Sequence, residues 1–341
     1  MDLHTLALVW FALLGVLLGG YAVLDGFDLG VGTVHFLVAR DEAERKATLA
    51  TIGPLWDGNE VWFVTFGGAM FAAFPEAYAS LFSGFYTVCM LLLFALLCRA
   101  VSIEFRSKRP GAGWRGLWDV SFSASSTLAS FVFGVAVGNV MLGLPLNARG
   151  DFTGRLSDLM NPYSIGVGVM VVALFAMHGA VFLQLKTEGA LRARARRWSM
   201  VSFVAFVTLF LGTTAFALSA IPEATANLHR QPLLWGVPVL TLLLVANIPR
   251  ALLRGHAGQA FLSSTGVILG LVCLLGITLY PNIVPATDPA HSLAIVEAAS
   301  SARTLRIMLV IVAIGMPMVL AYTSLVYRTF RGRVRSGGSG Y

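Results

Sequence analysis

Runs of about twenty apolar residues recur along almost the whole chain, separated by short connectors that carry most of its charge. A helical run of that length spans the ~30 Å hydrocarbon core of a bilayer. Inside hydrocarbon every backbone N–H and C=O must be bonded within its own segment, so such runs fold as helices. Hydrophobic residues make up 57% of the 341 and charged residues 12%. Soluble domains carry roughly 25% charged residues, so this chain lacks the polar residues to clothe a water-soluble core. Nine spans are expected, at 5–38, 58–74, 77–101, 118–144, 163–186, 199–221, 232–253, 258–280 and 304–329. The charged stretch 39–52 reads as a short interfacial helix. The fold class is therefore an all-α, polytopic membrane protein with about nine transmembrane helices.

Charge placement orients these spans. With nine crossings, 19 of the 24 Lys and Arg residues fall on one side, among them Arg40, Lys46, Arg109, Arg197 and Arg333. The other side holds Arg149, Arg155, Arg230, Arg303 and Arg306. The excess of basic residues marks the cytoplasmic side, which places the C-terminus inside and the N-terminus outside. The net charge of +7 thus reflects membrane orientation, and no nucleic-acid partner is expected.

Several features have ordinary readings. Cys89, Cys98 and Cys273 lie in apolar segments without a C-x-x-C pair and are expected to be small buried hydrophobes. The first apolar run follows Asp2 and His4 with no Lys or Arg, so it reads as a retained helix and not as a cleavable signal. Gly15, Gly19, Ala22, Gly26 and Gly30 share one face of the first span, and Gly134 and Gly138 repeat the spacing on the fourth. Small faces of this kind let helices approach closely in lipid. Gly30-x-Gly32 follows no strand and is not a nucleotide loop. Trp10, Trp56, Trp62, Trp114, Trp118, Trp198, Trp235 and Tyr280 fall mostly near span ends, as in an aromatic belt. Residues 331–341 form a polar tail ending in Ser336–Tyr341.

Charges within spans are costly and point to function. Asp25 and Asp28 lie about twenty residues into the first span, and Asp57 and Glu60 repeat the i, i+3 spacing at the start of the second. Arg99 ends the third span and Asp119 begins the fourth. All are expected at the cytoplasmic end, where carboxylates in low dielectric exchange protons near neutral pH. The alternative is a structural ion-pair network with Asp57 and Asp119 as helix caps. Asn139 either bonds to a neighbouring helix or continues the polar path. Among the histidines only His178 reads as clearly intramembrane, and a lone imidazole offers no bis-histidine haem site. No catalytic constellation, metal site or cofactor ligand set is expected in this chain. Two rival classes remain. A proton-coupled secondary transporter would show acids near the midplane and broken helices in both halves. A purely structural scaffold would make the acids dispensable.

The segments GYAVLDGFDLGVG (20–32), GPLWDGNEVW (53–62), FAAFP (71–75), FSGFY (82–86), FRSK (105–108) and GVAVGN (134–139) resemble subunit II of the cytochrome bd quinol oxidases. The match in order and spacing covers the first 150 residues; beyond them the likeness is in hydropathy and helix number. The resemblance implies a multi-pass protein of the bacterial cytoplasmic (inner) membrane. Two four-helix bundles, 1–155 and 156–283, and a peripheral ninth helix at 304–330 are expected. It implies pairing with a nine-span subunit I that holds haems b and d and the quinol site. The complex would oxidise quinol, reduce O₂ to water and draw protons from the cytoplasm. Subunit II would then contribute proton transfer through Asp25, Asp28, Asp57, Glu60, Arg99, Asp119 and Asn139, with Asp25 and Asp57 matching acids of the family's route. Lipid, a structural quinone within this subunit and a small single-span accessory subunit are further partners the resemblance allows.

Overall fold

Each long apolar run becomes a helix whose ends are set by local chemistry. The computed structural model describes residues 1–221 and 224–334, so the expected tail at 336–341 lies outside the described residues. Helix α1 (Leu3–Val38) starts where Asp2 caps the Thr5 N–H at 3.0 Å. The interfacial helix α2 (Glu42–Ile52) is capped by Asp41, which accepts from Glu44 N–H at 2.9 Å. Then follow α3 (Trp56–Ala73), α4 (Pro75–Gly84), α5 (Tyr86–Phe105), α6 (Ala112–Leu142) and the single turn α7 (Leu156–Leu159). Asn161 caps α8 (Pro162–Lys186), with Pro162 in the first turn where no N–H is needed. The chain continues through α9 (Gly189–Ala220), α10 (Ala226–Arg230), α11 (Gly236–Leu253) and α12 (Ala257–Leu279). A two-stranded antiparallel hairpin, β1 (Asn282–Val284) and β2 (Leu293–Ala294), precedes α13 (Ala302–Thr329).

The structure departs from the sequence reading in several places. The third span, expected as 77–101, is two helices broken at Phe85, where Gly84 packs against the Phe152 ring. Helix α9 begins ten residues before the expected 199, because the Ala- and Arg-rich segment 190–197 is a good helix former and extends beyond the apolar window. Asp57 and Asp119 are not caps: Leu55 precedes α3 without a side-chain bond, and Asp119 lies two turns inside α6. Trp10 and Trp62 are buried, and Trp10 Nε1 donates to Leu305 O at 3.0 Å, tying α1 to α13. Cys98 and Cys273 are exposed on the chain's surface, not buried.

Eight of the described helices are long and apolar enough to cross a membrane. Helix α3 falls short of that standard because Asp57, Asn59 and Glu60 crowd its first turn, yet it runs the same course. Its start bonds to Asp28 and Tyr327, and its last residue accepts from Ser300 N–H at 2.8 Å at the opposite end. The loops sort accordingly. At one end Arg106 meets Glu42 and Arg333 meets Glu188. At the other, the hairpin loop meets the 143–153 loop through the Leu144–Ala286 bridge, and His291 Nδ1 donates to Leu146 O at 3.0 Å. We call these the acidic end and the hairpin end.

Helix α8 is the hub, packing on α1, α6, α9 and α12. Its contact with α1 is backbone on backbone. A Cβ on Gly30 would lie 1.8 Å from Phe175 O, and one on Gly179 would lie 2.4 Å from Gly30 C. Helix α6 meets α8 in the same way, with Gly134 against Gly168 and Gly138 against Ser164. Gly15, on the same stripe of α1, has open space. Gly179→Val is expected to lower the thermal midpoint of the detergent-solubilised complex markedly, while Gly15→Ala leaves it within a degree or two; equal midpoints for the two variants would refute the packing argument.

Candidate functional site

Arg99 projects from α5 into the interior and is wholly buried. Its Nη1 donates to Asp25 Oδ1 on α1 at 2.5 Å, and its Nη2 donates to Glu60 Oε2 on α3 at 3.1 Å. One turn along α1, Asp28 Oδ2 accepts from Asn59 Nδ2 at 2.7 Å. The Asn59 amide also donates to Leu24 O at 3.3 Å, and its Oδ1 accepts from the Tyr327 hydroxyl of α13 at 2.9 Å. Asp25 and Asp28 are fully buried, whereas the Glu60 side chain is 22% exposed and links the group to the surface. Two carboxyls thus bond to a single guanidinium, and a third, Asp28, lies one turn away along α1. Asp25 Oδ2, Asp28 Oδ1, Arg99 Nε and the Tyr21 hydroxyl are buried without a hydrogen bond among the described residues. Buried ions need paired charge and satisfied bonds. With one cation for three carboxyls, neutrality is reached when two of the carboxyls carry protons.

A second cluster at the same end has the opposite balance. Asp119 on α6 is fully buried and accepts from Arg106 Nε at 2.5 Å and Arg106 Nη2 at 3.1 Å. His35 Nε2 lies 3.1 Å from Asp119 Oδ1, and Arg45 Nη1 lies 3.6 Å from Oδ2. The guanidinium of Arg106 reaches on to Glu42, donating at 3.0 and 2.9 Å. Burial works against the Arg106 charge, but its bonds to Asp119 and Glu42 outweigh that and raise its pKa above the ordinary value. Arg194 of α9 pairs with Glu44 and donates to Val38 O at 2.6 Å. These pairs clamp α2 onto the bundle. Asp119→Ala removes the acceptor that holds both Arg106 and Arg45, so faster amide hydrogen exchange confined to Glu42–Ile52 is expected. Unchanged exchange in that helix would show that the clamp does not hold it.

The acids expected to meet at one depth therefore divide into two groups, Asp25, Asp28, Glu60 and Arg99 in one and Asp119 in the other. Asp57 is exposed on the first turn of α3 and makes no ion pair among the described residues. Asn139 sits at the hairpin end, twenty residues along α6 from Asp119, or roughly 30 Å. Its Nδ2 donates to Val135 O and Leu159 O, both at 2.8 Å, and its Oδ1 accepts from Asn161 at 3.0 Å. His35 is a second buried intramembrane histidine that the sequence reading passed over, although it follows Asp28 by seven residues and so shares its face. Arg106 was counted only among loop cations. Asn59 lay inside the WDGNEVW motif between the two acids that drew attention, and Tyr327 had no local signal.

The buried imidazoles do not fit haem ligation. His178 Nδ1 lies 2.7 Å from Ser264 Oγ and its Nε2 donates to Val23 O at 3.2 Å, while His35 is engaged with Asp119. Among the described residues no group of three or more His, Cys, Asp or Glu is placed to hold a metal ion. Towards the hairpin end an apolar cavity of about 1050 Å³ opens between α1, α3, α5, α6 and α12, with Arg230, Gln231 and Asn227 among its polar lining.

Comparison with known proteins completes the site. The family model described as cytochrome bd terminal oxidase subunit II matches residues 6–330. The chain is 34% identical over 365 aligned positions to cytochrome bd-I ubiquinol oxidase subunit 2 of Escherichia coli K12, covering 98% of this chain and 96% of that one. It is likewise 34% identical to cytochrome bd ubiquinol oxidase subunit 2 of Bacillus subtilis, covering 98% and 97%. Its fold is similar to that in the structure of bd oxidase from Geobacillus thermodenitrificans, with a TM-score of 0.78 at 19% identity, covering 96% and 98% of the two chains. A family match over nearly the whole length, carried by a bundle that buries an acid cluster at one end, means that the chain belongs to the subunit II family of cytochrome bd terminal oxidases.

Proposed function

We propose that this chain is the haem-free half of a quinol-oxidising, O₂-reducing terminal oxidase and supplies its proton-uptake route from the cytoplasm. Reducing one O₂ to two waters consumes four protons, and a buried reaction centre needs a path for them. The observation that carries the reading is that three carboxyls share one buried guanidinium's neighbourhood: Asp25 and Glu60 bond to Arg99, and Asp28 follows Asp25 by one turn of α1. Such a group takes up and releases protons without ever leaving the arginine unpaired. In this scheme Asp57, exposed at the first turn of α3, collects protons at the surface. Glu60, one turn further and part-exposed, passes them to Asp25 and Asp28. Arg99 holds the carboxylates in place while they exchange.

Haems b and d are assigned to the partner subunit I, where they supply the electron path from quinol to O₂. The apolar cavity is assigned to a structural quinone or lipid, its chain among the phenylalanines and its head group near Arg230 and Gln231. Asp119 and Asn139 serve chiefly to hold helices, since each has its bonds satisfied within the chain. A small single-span accessory subunit completes the expected assembly. The family match supports this reading over a secondary transporter, as does the confinement of the buried acids to one end.

Replacing Asp by Asn keeps shape while removing the titratable group. Asp25→Asn and Asp28→Asn complexes are expected to lose quinol-driven O₂ consumption per haem by at least about tenfold, within the ~10²–10⁴-fold span of acid–base groups. Normal turnover per haem in both would leave the acids a structural role only. In contrast, Arg99→Met leaves buried carboxylates unpaired, a change of ~3–5 kcal/mol that acts on assembly.

Orientation follows from the basic asymmetry. In a chain whose three cysteines are replaced, Asp288→Cys is expected to react with an impermeant thiol reagent in intact cells after removal of any outer membrane barrier, and Arg197→Cys is not. The reverse pattern would invert the proposed topology and with it the cytoplasmic entry.

A further inference from the structure

Helix α13 touches the chain sparsely. It packs on α1 and α3, and its most apolar stretch is nowhere buried. One residue near its end, Tyr327, nevertheless reaches the acid cluster and donates to Asn59 Oδ1 at 2.9 Å. A phenol donor and a carbonyl acceptor together fix the carboxamide. The hydroxyl claims its oxygen, and Leu24 O, which only accepts, claims its nitrogen at 3.3 Å. Asn59 therefore offers Asp28 a donor. That donor suits the bare Oδ2 it touches at 2.7 Å and leaves Oδ1, which is buried without a bond among the described residues, as the oxygen that takes a proton. Were a proton to sit on Oδ2 instead, two hydrogens would face each other unless the amide turned over. Turning over would set the amide oxygen against Leu24 O, which cannot donate, and would leave the Tyr327 O–H hydrogen without its acceptor, the hydroxyl then only accepting from Nδ2.

We propose that Tyr327 and Asn59 are positioning residues for proton transfer: the last helix locks the Asn59 carboxamide so that Asp28 binds and releases its proton through Oδ1 without amide rotation. This rests on the proton-uptake reading above. The step is a simple relay. An O–H bond forms at Asp28 Oδ1 as one breaks at the donor, a hydronium or the Glu60 carboxyl. The Asp28 O–H bond then breaks as the proton passes towards Asp25 Oδ2, a second buried carboxylate oxygen without a bond among the described residues. Asp28 returns to the carboxylate. Titratable or charged groups that face it are Asp25 on α1, Glu60 on α3, Arg99 on α5 and Tyr327 on α13. The hydroxyl of Tyr327 makes its hydrogen bond to Asn59 and not to Asp28.

The test is the pH profile of quinol-driven O₂ consumption per haem in the assembled complex. Tyr327→Phe keeps the ring, which packs edge-on against Phe27, and removes only the lock. A freed amide can turn its oxygen towards protonated Asp28 and slow release. Plateau turnover is expected to fall about 3- to 10-fold and the alkaline limb to move up by roughly half to one pH unit, the scale of one hydrogen bond. In an Asp28→Asn background the same substitution should add no further loss. Asn59→Asp, similar in size but without the locked donor, is a second variant expected to alter the same limb. If Asp28→Asn itself keeps normal turnover, the proton-route reading falls. If Asp28→Asn loses turnover while Tyr327→Phe and Asn59→Asp keep the parental profile, this inference alone is overturned. Equal loss at every pH that adds fully to Asp28→Asn also overturns it and leaves Tyr327 a packing residue.

Discussion

A guanidinium buried among membrane helices is the constraint around which the acidic end is organised. Arg99 cannot lose its charge at any physiological pH, and its side chain is wholly buried. It therefore fixes the rotation of three helices at once, because α1 must present Asp25, α3 must present Glu60 and α5 must point inward. Non-directional packing cannot specify rotation so narrowly. The glycine contacts between α1 and α8 set how close the helices lie, while Arg99 sets which faces meet. Both act on α1, the helix that carries Asp25, Asp28 and Gly30.

The two charge clusters illustrate how similar residues serve different ends. Around Asp119 cations outnumber buried carboxylates, every strong acceptor is used, and the result is a fastening between α2, α5 and α6. Around Arg99 carboxyls outnumber cations and oxygen atoms are left over. Surplus acceptors are what a proton needs, whereas a fastening works best without them. The stoichiometry of charge, more than the identity of any one acid, separates the two.

Much of this was legible beforehand because the bilayer restricts what a sequence can do. Apolar runs had to be helices, and Asp25, Asp28 and Arg99 had to find one another or remain costly. The limits of helices were less legible, since Ala- and Arg-rich residues such as Ala193 and Arg194 continue a helix into water as readily as Leu does into lipid. The division of the acids was not legible at all. Depth can be counted along a run, but which face of α6 carries Asp119 towards His35 depends on helix rotation, a tertiary property. Tyr327 was invisible for the same reason: its meeting with Asn59 joins residues 268 positions apart.

The contact between Gly30 and Gly179 also has a consequence in time. The two glycines are separated by most of half the chain, and ribosomes add about 5–20 residues per second. Helix α1 thus waits in the membrane for roughly seven to thirty seconds before α8 exists to cover its bare backbone stripe. During that interval its exposed glycine face is open to any other helix in the bilayer, so the nascent subunit must be shielded by lipid, by insertion machinery or by an early-arriving neighbour. Steric fit that is ideal in the finished bundle is, during synthesis, an unguarded adhesive surface.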